Sequence, residues 1–313
     1  MTRTRVDDGD RRRRRRVAAA LLAMLLVVGL AGCASHDSRA ASTMPLPAPS
    51  TTELPWSGGV RSDPSSSDAG TRTSRDAAST AATAAGRPAS RKRGARPVVV
   101  LDPGHNGGNA DHTEIISQQV DAGFGLVKDC NTVGASTDAG YPEHAFTFDV
   151  ALRVRQLLVK HAVTVLLTRP NDTGVGPCVD QRARFGNTAG ATAVVSIHGD
   201  GAVASGSGFH VIEAPRMAGG AATQTESNRL ALAVRSQLHA HSGLGYATYL
   251  AAGTGLDHRT DLAGLNLSTR PAVLVECGNM RNPHDAVKMT TPAGRQRIAA
   301  AIAAAILTFL PPS

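Results

Sequence analysis

A chain of 313 residues with 42% hydrophobic content can build a sizeable core, and its formal net charge of +8 at first suggests a polyanionic partner such as nucleic acid. The placement of the charge excludes that partner. Residues 1–96 hold 17 basic and 8 acidic residues, which leaves 16 and 17 for the rest, so the part able to fold is nearly neutral.

In chain order, the arginine run Arg11 to Arg16 precedes an apolar stretch, Val17 to Leu30. That stretch is short for a bilayer span and suits a signal-peptide core. It ends in Leu30-Ala31-Gly32-Cys33, which resembles the lipobox of bacterial lipoproteins. The expectation is a signal peptide over 1–32 and a lipidated N-terminal Cys33, which would anchor the protein to the membrane after export. The arginine cluster leaves the export route open. Residues 33–96 are Ser, Thr, Ala, Pro and Gly with scattered charge, a composition that cannot bury a core, and they read as a disordered tether. About 60 flexible residues reach on the order of 40 Å, so an anchored domain can work away from the membrane surface.

Residues 97–313 read as one α/β domain. Pro97 to Leu101 is a continuous apolar, β-branched run, as expected of a strand covered on both faces, and it leads into Asp102-Pro103-Gly104-His105. A polar loop to Tyr141 follows. Apolar residues then recur at helical spacing from Pro142 to Lys160, with proline suited to the helix start. Further strands are expected at 162–167, 192–197, 208–212 and 271–275, and helices at 180–188, 226–239 and 292–310. The last helix is apolar nearly all round but too short to span a membrane, so it is expected to pack on the sheet. Alternation of strand and helix predicts a largely parallel sheet with helices on both faces. With Cys33 set aside, three cysteines remain in an oxidising compartment; Cys130 and Cys178 lie in loop sequence and are expected to pair, whereas Cys277 follows a buried-strand pattern and reads as a core residue.

Three apolar runs, VVVL, VVSI and AVLV, are each followed within a few residues by a group that can bind metal or move protons: His105, His198 and Glu276. If those runs are neighbouring parallel strands, the three groups share the sheet edge at which open α/β folds place their sites. A hydrolytic zinc centre needs three His or carboxylate ligands and one open position. Glu143, in the first turn of a helix where its charge is favoured, supplies the third, with its neighbour His144 as the rival.

The stretches VVVLDPGHNGG, YPEHAFTFDVALRVRQLL, LLTRPND with DQRARFGNTA, VVSIHGDGA and PAVLVECGNMRN resemble the zinc-dependent N-acetylmuramoyl-L-alanine amidases of type 3, in the expected order across nearly all of Pro97 to Leu310. The resemblance implies a twisted, mixed, largely parallel sheet close to that of zinc exopeptidases. It also implies one Zn2+ ion held by His105, Glu143 and His198, with Glu276 as general base and acid. The substrate it implies is peptidoglycan or a muropeptide, cut between the lactyl group of N-acetylmuramic acid and L-alanine; the chain itself is expected to be a monomer. Two departures stand out. Asp200 occupies a position where the family commonly has Asn and is the candidate substrate contact, and the segment Ala110 to Tyr141 is unmatched. The competing readings are a zinc peptidase on the same architecture and a wall-binding domain without turnover.

Overall fold

The computed structural model describes residues 96–311; the expected leader, Cys33 and most of the tether lie outside them. A six-stranded sheet organises the described part. Its strands are β1 (Val98–Pro103), β4 (Thr164–Leu167), β5 (Ala193–Asp200), β6 (His210–Glu213), β7 (Leu256–His258) and β8 (Ala272–Asn279), in the order β4-β1-β5-β8-β6-β7. β4, β1, β5 and β8 run parallel, β6 is antiparallel to β8, and β7 is parallel to β6. Two further strands, β2 (Gln119–Gly123) and β3 (Leu126–Asp129), pair as an antiparallel hairpin apart from this sheet.

The alternation of side chains along each strand divides the core in two. On one face Val99, Leu101, Val195, Ile197, Val273 and Val275 pack under three long helices, α2 (Glu143–Leu158), α4 (Gly220–His241) and α7 (Pro292–Phe309). α7 carries Ile298, Ile302 and Ile306 into this core and packs against both α2 and α4, which accounts for its wide apolar surface. No helix among the described residues is long and apolar enough to cross a membrane. The other face carries a smaller cluster of Val100, Val194, Ile212, Leu265 and Ala272, near α3 (Val179–Thr188), the short α5 (Ala263–Asn266) and the hairpin.

The expected sheet and its principal helices are present. Several elements were not foreseen: the β2–β3 hairpin and the one-turn helix α1 (Thr113–Ile116) lie in the segment read as polar loop, and β7 and α6 (Pro283–Thr290) were not anticipated. α4 begins at Gly220, before the expected Glu226. β5 and β8 continue past the expected ends at Ile197 and Val275, so His198 and Glu276 sit within paired strands. Cys130 is bonded to Cys178, with Cα atoms 4.4 Å apart, and Cys277 is a buried free thiol.

Candidate active site

His105 comes from the turn after β1. Its backbone is left-handed, φ 58°, a conformation that costs a residue with a Cβ about 1–3 kcal/mol and collects at functional sites. Two buried guanidinium groups hold that turn. Arg182 of α3 donates to Asp102 Oδ1, Pro103 O and His105 O, and the completely buried Arg169, just after β4, donates to Pro103 O and His144 O. Gly104 allows the turn to pass beside the second histidine, because a methyl group there would run into the His198 ring.

Glu143 opens α2, where the helix dipole favours its charge. Backbone amides orient both of its oxygens: Ala135 N–H donates to Oε2 at 2.7 Å and Gly199 N–H to Oε1 at 3.0 Å. His105 Nε2 lies 3.1 Å and His198 Nδ1 2.9 Å from the same Oε1. One ligand atom from each of the three residues falls within 4.8 Å of the others, and theirs is the one such group found among the described residues. His144, the rival for Glu143, points elsewhere and pairs with Asp172 at 2.7 Å.

The donor set fits a metal ion. His105 Nδ1 faces the carbonyl of Thr132 at 2.9 Å, and the tautomer that donates there leaves Nε2 as a bare lone pair. A lone pair cannot face a carboxylate oxygen at 3.1 Å without a cation between them, whether a proton or a metal ion. Two imidazole nitrogens and a carboxylate oxygen are the donors zinc takes in hydrolytic sites. The charges lean the same way. Burial opposes the protonated form of His105, but Glu143 beside it raises the imidazole above its ordinary value. Burial likewise opposes the charge on Glu143, and the two imidazoles outweigh it, holding the carboxyl below the usual carboxylate range.

Glu276 of β8 is the Cα partner of His198 across the β5–β8 ladder, so both side chains project from the same face. Burial, then the charges of Glu143 and Asp200, push its carboxyl well above the ordinary range, with Arg259 opposing. Asp200 ends β5; Tyr249 donates its hydroxyl to Oδ2 at 2.9 Å and Gly201 N–H donates to Oδ1 at 2.6 Å. Arg169 and Arg182 were missed as organising residues. The available signal was an arginine directly after an apolar strand or inside a short helix, in stretches that the resemblance already covered.

A largely parallel α/β sheet with imidazoles and two carboxylates gathered at the C-terminal edge defines a hydrolase-type domain with a candidate metal centre. Residues 99–308 match the family described as N-acetylmuramoyl-L-alanine amidase. The chain is 45% identical over 214 residues to N-acetylmuramoyl-L-alanine amidase Rv3717 of Mycobacterium tuberculosis, covering 68% of this chain and 86% of that protein. It resembles the crystal structure of the N-acetylmuramyl-L-alanine amidase Ami1 of Mycobacterium smegmatis at 47% identity, TM-score 0.64, over 68% of this chain and 96% of the other. The apo form of Ami1 from Mycobacterium abscessus is similar at 46% identity, TM-score 0.65, over 69% and 99%. The chain belongs to the N-acetylmuramoyl-L-alanine amidase family, type 3, and is an enzyme of peptidoglycan amide hydrolysis.

Proposed function

We propose that this amidase works with one zinc ion held by His105 Nε2, Glu143 Oε1 and His198 Nδ1, and that Glu276 is its proton carrier. The observation that carries the reading is the convergence of those three atoms beside a carboxyl on the neighbouring strand. When bound, zinc would polarise the scissile carbonyl and lower the pKa of a water. Glu276 takes the proton from the attacking water and returns it to the amine of the departing L-alanine, so that the lactyl carboxyl and a free peptide N-terminus are released. An ordinary carboxyl is a weak proton donor near neutral pH, and the burial and acidic neighbours of Glu276 correct that. Asp200, steadied by Tyr249, is proposed to contact the substrate at the rim.

Substitution Glu276→Gln should retain zinc and lose about 10²- to 10⁴-fold in kcat. Wild-type turnover by the zinc-loaded variant would remove the assigned role. Mass spectrometry of digested muropeptides tests the bond: lactyl groups freed of peptide support the amidase, and fragments with muramic acid still substituted indicate a peptidase.

Amidases of this family act at the cell wall, and export followed by lipidation of Cys33 is proposed as the route that holds this one there. Cys33→Ser should move the protein from the membrane fraction to the soluble one. An unchanged distribution rules out the anchor.

A further inference from the structure

Glu276 is the middle member of a row crossing three strands. Its Cα pairs with His198 on β5 and with His210 on β6. Directly paired residues project to the same face of a sheet, so the carboxyl stands between two imidazoles. His198 belongs to the His-Glu-His cluster, whereas His210 has no part in the proposed chemistry. It is 2% exposed, and its ring meets Tyr249 edge-on with centroids 6.1 Å apart. Its Nδ1 is buried without a hydrogen-bond partner, and so is Glu276 Oε2.

A buried polar atom without a partner is costly, and native folds retain few of them. The two orphans are chemically complementary, since a carboxylate oxygen accepts and an imidazole nitrogen donates in one of its tautomers. Two other polar groups nearby already have partners. Tyr249 donates to Asp200, and Arg259 forks onto Asp261 at 2.9 and 2.6 Å. The Cβ atoms of a directly opposed antiparallel pair lie about 4.5–5.5 Å apart, so a side-chain rotation of Glu276 can close the gap. Hydrogen bonds of this kind are often open in a free enzyme and tighten around substrate.

We propose that His210 is a positioning residue for Glu276: its Nδ1–H holds Oε2 during turnover, so that Oε1 faces the attacking water and then the leaving amine. The inference rests on the assignment of Glu276 as proton carrier. A bond from outside the reacting atoms changes how often the carboxyl is aligned, not how well the substrate binds. Its loss therefore falls on kcat and leaves KM and metal content in place.

The test uses the full-length zinc-loaded protein as wild type, His210→Phe, His210→Asn and Glu276→Gln, with kcat, KM, zinc per chain and melting temperature measured for each. Phe fills the space of the ring without a polar atom, and Asn can place an N–H near the position of Nδ1. His210→Phe should lose about 10- to 100-fold in kcat with KM and zinc unchanged, and His210→Asn should return most of that loss. A folded, zinc-loaded His210→Phe protein within about twofold of the wild-type kcat overturns the proposal. So does an Asn variant as slow as the Phe variant, which would assign the effect to ring volume. If His210→Phe does not fold, His210→Ala decides: recovery of kcat by added imidazole supports the bond, and no recovery overturns it. Glu276→Gln separates the two levels. Wild-type rate in that variant sinks the proton-carrier reading itself, whereas an inactive Glu276→Gln beside a fully active His210→Phe sinks only the role of His210.

Discussion

Arg169 and Asp102 show how the region around the reacting groups is held at the level of single residues. The Arg169 side chain is entirely buried and donates to Pro103 O, Asn171 O and His144 O, each at 2.9 Å, and to Asp172 Oδ1 at 2.8 Å. Burial, its largest influence, pulls the guanidinium down to about 10, with Asp172 opposing, so it remains charged at neutral pH. It ties the turn bearing His105 to the first turn of α2 bearing Glu143. Arg169→Met should therefore cost about 3–5 kcal/mol in denaturant unfolding, because carbonyls and a carboxylate lose their partner together. A loss below about 1 kcal/mol would show that the clamp is dispensable. Asp102 predicts a pH dependence. Burial opposes its charge, but Arg182 and hydrogen bonds from Thr168 and Ser196 overcome this and hold its carboxyl at about 2. A carboxyl whose folded-state value is depressed stabilises the fold fully above its unfolded value and loses that contribution as pH falls through the folded value. Wild type should therefore shed about 2 kcal/mol between roughly pH 5 and 2 that Asp102→Asn does not shed. Parallel acid-unfolding curves for the two proteins would contradict this.

Among the elements, what could be read in advance follows from burial. β1, β5 and β8 are covered on both faces, so their sequences are mostly apolar runs, and the chemistry-bearing residues that follow those runs mark the sheet edge. The β2–β3 hairpin has no such mark. β3 exposes Leu126 and Val127 and carries Lys128 and Asp129, so no face alternates cleanly, and its place in the fold comes from distant partners. Asn266 donates to Ala122 O, and the Cys130–Cys178 bond closes a separation of 48 residues. α6 is short, and its start is set by Asn282 accepting from the His284 and Asp285 amides, a cap that is plain only once the helix is known. His144 and Glu143 are adjacent in sequence, and only the direction in which α2 leaves the sheet decides which of them meets the two histidines. The hairpin supports an element-scale expectation. Replacing both cysteines by serine should lower stability by about 2–4 kcal/mol, the chain-entropy value for a loop of this size being roughly 4 kcal/mol. Equal unfolding midpoints for the oxidised wild type and the double variant would show that the loop is held by its other contacts.

For the whole molecule, the proposed ion adds a further link between the turn after β1, the start of α2 and the end of β5. None of these donors is brought to the others by sequence proximity, so the unfolded chain offers no comparable site, and binding energy is added to folding energy. With free zinc at about 1,000 times its dissociation constant, the added stability is about 4 kcal/mol. For a domain of this size that corresponds to a rise in Tm of about 8–16 °C. Without an ion, Oε1 of Glu143 lies beside the two imidazole nitrogens, at 3.1 and 2.9 Å, with no metal to hold the three together. Chelation should therefore abolish turnover and lower Tm together, and zinc should restore both. The same titration on His198→Ala should show little rise in Tm at matched zinc, because two of three protein ligands hold the ion far more weakly. A zinc-induced rise of equal size in wild type and His198→Ala would place the stabilising ion elsewhere on the protein, even if activity still depended on zinc.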